Sequence, residues 1–126
     1  MSTAVSAPYR VSIVDDDEAI RDAIDSLFRS VGLPVAAFGS AEEFLRSPQV
    51  RTTRCLILDI RMAGMDGLEL QQQLMADGHH DMSIIFLTAH GDDEARAQAL
   101  AAGARAFLPK PVDGDVLLAT VESILR

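Results

Sequence analysis

Asp15 and Asp16, Asp59, Thr88 and Lys110 each follow a short apolar run of the kind that forms a β-strand. In an open α/β sheet the carboxyl ends of parallel strands face one crevice, so these scattered positions would converge. Carboxylates, a hydroxyl and an amine at one place suit chemistry on phosphate, helped by a divalent cation. At an effective dielectric near 20, carboxylates about 5 Å apart repel by roughly 3 kcal/mol per pair. A bound cation or a shared proton relieves that repulsion. Oxygen-only donors beside a partly open loop suit Mg2+ (or Mn2+), with Asp15, Asp16 and Asp59 as candidate ligands. Asp59 is the candidate nucleophile, because an aspartate carboxylate can carry an aspartyl-phosphate. Thr88 would donate its hydroxyl to a phosphoryl oxygen, and Lys110 would supply a point charge. Singly, each has a plain alternative: an acidic helix start, a turn cap, a strand end, a solvated lysine. The joint pattern carries the reading.

The elements that must position these residues alternate. Arg10–Val14 reads as a strand. Asp17 then caps a helix whose apolar face is Ile20, Ile24, Leu27 and Val31, closed by Gly32. Val35–Phe38 is the second strand, opened by Pro34. Ser40 and Glu43 have capping-box spacing ahead of a short helix carrying Phe44 and Leu45, which Pro48 stops. Arg54–Leu58 is apolar after its first residue, as expected of a strand buried on both faces. A loop runs from Asp59 to Gly67, then a helix from Leu68 to Met75. Ser83–Leu87 is the fourth strand, and Asp92 or Asp93 starts an Ala-rich helix ending at Gly103. Arg105–Leu108 is the fifth strand. Asp113–Leu125 is the last helix, with Leu117, Val121 and Ile124 on one face.

Such alternation implies parallel strands, right-handed crossovers and helices on both faces. Proline cannot donate to a ladder and favours edges. Pro34 and Pro109 therefore fit a doubly wound (βα)5 sheet of order 2-1-3-4-5. That order sets the strands ending in Asp15-Asp16 and Asp59 side by side.

At 126 residues the chain is expected to be one domain over 10–126 behind a frayed tail at 1–9. Its net charge of −8 makes it a poor nucleic-acid binder and favours metal ions and cationic partners. No apolar run approaches the ~20 residues of a membrane span, and residues 1–9 lack a signal-peptide pattern. The single cysteine, Cys55, lies inside an apolar run and reads as core. It suits a reducing compartment, and a cytoplasmic location is expected. His79-His80 reads as loop. The Ala-rich stretch Ala95–Ala104 would let another helix approach closely, or simply favours helix.

The runs Val14-Asp15-Asp16-Asp17-Glu18, Leu58-Asp59-Ile60-Arg61-Met62, Asp66-Gly67, Leu87-Thr88-Ala89-His90-Gly91-Asp92 and Lys110-Pro111 together resemble a bacterial two-component response-regulator receiver domain. The resemblance spans residues 10–126, and the Thr-Ala-His-Gly-Asp run is most similar to the nitrogen-fixation (FixJ-type) branch. It implies that Asp59 accepts phosphate from a sensor histidine kinase. It also implies that Asp15, Asp16, Asp59 and the Arg61 carbonyl serve Mg2+, and that Thr88 and Lys110 contact the phosphoryl group. Phe107 would be the aromatic switch residue, and the Lys110–Pro111 bond is often cis in the family. Phosphorylation would repack the surface of the fourth helix, fifth strand and fifth helix, passing the signal to an output domain or target protein. A phosphorylation-dependent homodimer through the fourth helix and fifth strand is a further expectation.

Three positions depart from the family pattern. Ala63 replaces a usual proline, which should loosen the loop after Asp59. Phe107 lacks a tyrosine hydroxyl, and Pro109 precedes the lysine. Arg61 and His90 stand where the family flanks the path of the hydrolytic water. Both are bulky, so slow self-dephosphorylation is expected. One alternative is a Mg2+-dependent aspartyl-phosphate phosphatase, which wants a second aspartate where Arg61 stands. Another is a flavodoxin-like FMN carrier, which wants a Ser/Thr/Gly-rich loop after the first strand and aromatics to sandwich the flavin. A third, a receiver that signals without phosphate, usually lacks an acidic residue or the lysine.

Overall fold

The computed structural model describes residues 9–89 and 92–126, so all of the predicted tail (1–9) but Tyr9, and the predicted lifetime residue His90, lie outside the described residues. The elements run β1 (Val11–Val14), α1 (Glu18–Ser30), β2 (Val35–Phe38), α2 (Ala41–Arg46), a 3-10 turn (Pro48–Arg51), β3 (Cys55–Asp59), α3 (Gly67–Ala76), β4 (Ser83–Thr88), α4 (Asp93–Ala101), β5 (Ala106–Pro109) and α5 (Gly114–Leu125). All pairings are parallel, in the order β2-β1-β3-β4-β5. The edge assignment drawn from Pro34 and Pro109 therefore holds. Pro109 ends β5, opposite Thr88.

Strand periodicity divides the core into two layers. On one face Leu56, Leu58, Ile84 and Phe86 pack against α2, α3 and α4 through Phe44, Leu70, Leu74 and Ala99. On the other, Ile13, Ile57, Ile85 and Leu87 pack against α1 and α5 through Ile24, Phe28, Leu117 and Val121. Each fully buried side chain of this size contributes roughly 1.5–3 kcal/mol, and β3, buried at every position, is the spine. Cys55 belongs to the second layer, and burial pushes its thiol up to about 12, so it is an inert core residue.

Two local expectations are corrected. Val31 does not continue the apolar face of α1; it is the C-cap and 52% exposed, and Phe28 fills the core position one turn earlier. Ser40 accepts from the Glu43 amide, but the Glu43 carboxylate accepts from the Gly39 amide, so the reciprocal half of the box is displaced by one residue. A full capping box occurs instead at Asp66 and Glu69, at the head of α3. Pro48 stops α2 as expected, and opens the 3-10 turn. Asp17 caps α1 through the Ala19 amide as its position suggested, and His79-His80 is loop as read.

Candidate functional site

Asp15 follows β1 and is fully buried; its amide still donates to the Phe38 carbonyl of β2. One carboxylate oxygen, Oδ1, accepts from the Asp17 amide at 2.9 Å. The other, Oδ2, is the only buried side-chain nitrogen or oxygen among the described residues without a hydrogen-bond partner. Its nearest counterion is the Lys110 ammonium at 3.1 Å, an ionic contact without hydrogen-bond alignment. Asp59, the last residue of β3, is 4% exposed and places Oδ1 3.2 Å from the same ammonium. Asp16 is exposed at the rim. One carboxylate oxygen from each of Asp15, Asp16 and Asp59 lies within 4.8 Å of the others. The topology thus gathers the three acidic candidates and Lys110, as their strand-end positions predicted.

The electrostatics follow from this crowding. Burial, then the neighbouring Asp15 carboxylate, pushes the Asp59 carboxyl up to about 6 against the opposing pull of Lys110. Burial works against the Lys110 ammonium, yet Asp15 and Asp59 together outweigh it and hold the lysine above its ordinary value. One ammonium serving two buried carboxylates leaves the cluster short of positive charge. The all-oxygen donor set and the orphaned Asp15 Oδ2 fit a hard divalent cation.

Backbone placement depends on close approaches. The Ile60 amide donates to the Leu87 carbonyl, and the Gly67 amide donates to the Ile60 carbonyl, which folds the loop between β3 and α3 back on Asp59. Lys110 is set by its own amide bonding to the Thr88 carbonyl and is followed by a cis peptide to Pro111, as the resemblance implied. The loop that Ala63 should loosen is tied from α2: the Glu42 carboxylate accepts from the Met65 amide at 3.0 Å, a bond that holds the Glu42 carboxyl below the usual range.

Thr88 ends β4, largely buried. Its single hydroxyl proton faces two acceptors, the Ala89 carbonyl at 2.8 Å and Asp92 Oδ2 at 2.9 Å. Asp92 Oδ1 pairs with the Arg61 guanidinium. Asp92, which sequence reading gave only the role of a possible helix start, is thus a contact residue of Thr88. Phe107 on β5 is half-buried, with its ring centroid 6.0 Å from that of Phe86. A cavity of about 180 Å3 lies beside it, lined by Thr88, Ala89, Asp92, Arg96 and Pro109 among others.

A family model described as the response regulator receiver domain matches residues 11–122. The chain belongs to the response-regulator receiver family. This receiver is 44% identical over 119 residues to nodulation protein W of Bradyrhizobium diazoefficiens, covering 94% of the chain and 52% of that protein. It is 39% identical over 115 residues to the transcriptional regulatory protein FixJ of Azorhizobium caulinodans, covering 91% of the chain and 54% of that protein, which supports the FixJ-type branch. The solved structure of response regulator StyR superposes with a TM-score of 0.83 at 43% identity, over 91% of the receiver and 58% of that chain. The receiver spans about half the length of the curated relatives it matches. It is a phosphoacceptor signalling switch, and the phosphatase alternative is not favoured: Arg61 stands where that mechanism wants its second aspartate. Among the described residues no helix is long and apolar enough to cross a membrane.

Proposed function

We propose that this receiver takes a phosphoryl group onto Asp59 from the phosphohistidine of a sensor histidine kinase and holds it as a conformational signal. The observation that carries the reading is the charge-deficient cluster: Asp15 and Asp59 buried on adjacent strands, sharing one ammonium, with Asp15 Oδ2 accepting no hydrogen bond. Mg2+, held by Asp15, Asp16, Asp59 and the Arg61 carbonyl, would neutralise the carboxylates and the incoming phosphoryl oxygens. An Asp59 oxygen attacks phosphorus, an O–P bond forms and the P–N bond breaks, its electron pair staying on the leaving imidazole. Above about pH 6 Asp59 is ionised and ready as the nucleophile. Lys110 and Thr88 then hold the new phosphoryl oxygens by charge-assisted bonds. Phe107 moves toward the space Thr88 leaves, and the surface of α4, β5 and α5 repacks. The reader of that surface would be an output segment or a target protein. The relative named a transcriptional regulatory protein favours control of transcription. A homodimer through α4 and β5 is one form that reading could take.

Acetyl phosphate with Mg2+ tests this. The wild type is expected to take up one phosphoryl group and Asp59→Asn none, with no sustained turnover of phosphate esters. Equal labelling of both would remove Asp59 from its role.

The same labelled protein reports the lifetime of the phosphate. Arg61 lies two residues past Asp59 with its guanidinium paired with Asp92 in the resting state, a place from which it would screen the approach of water. Arg61→Asn is expected to shorten the half-life several-fold; an unchanged or longer one would reject the screen.

A further inference from the structure

We propose that Asp92 is a positioning residue for the switch: it holds the Thr88 hydroxyl in the resting state, is itself held by Arg61, and so sets how readily the receiver accepts a phosphoryl group. The inference rests on the reading that Thr88 contacts the phosphoryl group on Asp59.

Asp92 occupies the N-cap position of α4, yet its side chain makes no capping bond there. An aspartate at an N-cap ordinarily satisfies one of the orphan amides of the first turn. The caps of α1, α3 and α5 do so in this chain. The Asp92 carboxylate instead spends one oxygen on Thr88 and the other on Arg61. Its side chain is 9% exposed while that of Arg61 is 73% exposed, so the half-buried aspartate is the more enclosed partner. Three elements meet there: the loop after the phosphoacceptor, the end of β4 and the start of α4.

A hydroxyl has one proton. Thr88 cannot donate to a phosphoryl oxygen while that proton stays with Asp92 or the Ala89 carbonyl. A phosphoryl group on Asp59 brings roughly −1.5 to −2 charges. It competes with Asp92 for the Thr88 hydroxyl. The stability of the resting contact therefore subtracts from the apparent affinity for any phosphoryl mimic. A hydrogen bond to a charged acceptor is of the class whose loss moves an equilibrium about tenfold. Release from Asp92 also frees the first turn of α4, which connects the event to the signalling surface.

Beryllofluoride with Mg2+, titrated calorimetrically, is the probe. Asp92→Ala is expected to bind it about tenfold more tightly than wild type. Asp92→Asn, which keeps an acceptor for Thr88 and loses the charge that Arg61 pairs with, is expected to fall between. In a Thr88→Val background Asp92→Ala should change affinity by less than twofold, because the hydroxyl it restrains is gone. A general loosening of α4 would instead act equally in both backgrounds. Unchanged or weaker binding by Asp92→Ala, or an equal effect with and without the Thr88 hydroxyl, overturns the proposal. Asp59→Asn is the separate control. Loss of binding there, alongside a failed Asp92 result, rejects the restraint and leaves the phosphoacceptor site standing. Retained binding there rejects the site and the restraint with it.

Discussion

Replacing Asp59 with asparagine is expected to make the metal-free receiver more stable, by about 2–3 kcal/mol at pH 7.5, while abolishing its phosphorylation. Asp59 titrates in the folded protein near 6, against 3.8 for a free aspartate. One unit of such a shift corresponds to about 1.4 kcal/mol between protonation states. A carboxyl raised in the folded state stabilises the fold fully below its unfolded value and loses that contribution as pH rises through the folded one. Wild type and Asp59→Asn should therefore be alike near pH 4, diverge between pH 4 and 6, and differ by a constant amount above. The ionic contact of Asp59 with Lys110 is already contained in that shift, and without it the gap would be wider. Saturating Mg2+ should raise the wild type selectively, since it binds the native cluster and not the unfolded chain. Urea unfolding at pH 4, 5.5 and 7.5, with and without Mg2+, gives all the differences. A gap independent of pH, or a destabilised variant at pH 7.5, would show that the cluster is not short of positive charge.

The crowding of carboxylates behind that prediction is legible in the sequence, and the reason is topological. Asp15, Asp16 and Asp59 sit at the ends of apolar runs, and Pro34 with Pro109 marked the edge strands. The order 2-1-3-4-5 satisfies those edges, and that order puts the carboxylates on adjacent strands. Helix and strand identities were equally readable, because short apolar runs mark strands buried on both faces and period-3.6 patterns mark helices buried on one. Ends were less so. Val31 has the right residue type and spacing for α1's buried face, but the chain has already turned toward Gly32 and β2.

What stayed hidden were contacts between loops. Glu42 reaching the Met65 amide and Asp92 gripping Thr88 join residues whose separation follows no period, so neither leaves a pattern in the chain. The first changes the meaning of Ala63, since a side-chain acceptor from α2 ties the loop where a proline would have stiffened it. The Asp66 box was different: an aspartate three residues before Glu69, ahead of Leu70 and Leu74, is a capping signature that could have been found.

Gly67→Ala is expected to destabilise the receiver by about 3 kcal/mol and to slow phosphorylation of what remains folded. Gly67 does not have the positive φ seen at Gly32 or Gly64, so its requirement is space, not dihedral freedom. A Cβ there would clash with the Asp59 carbonyl oxygen and lie 3.0 Å from the Ile60 Cα and 3.1 Å from the Asp59 carbonyl carbon. All three are backbone atoms of the central strand and its exit, where no rotamer change gives relief. Overpacking of this kind costs about 1–3 kcal/mol or more. The upper end applies here, because relief must come from separating α3 from β3 and breaking the Gly67–Ile60 hydrogen bond. The displaced residue would be Asp59 itself, whose Oδ1 must keep its place against Lys110. Gly114→Ala is the matched control: its added Cβ would meet the Leu27 side chain at 3.1 Å, which can shift. Chemical denaturation should separate the two alanines by about 2 kcal/mol or more, and acetyl phosphate labelling should slow only for Gly67→Ala. If both variants were equally stable and equally labelled, the close approach of α3 to the phosphoacceptor would have no part in setting the site.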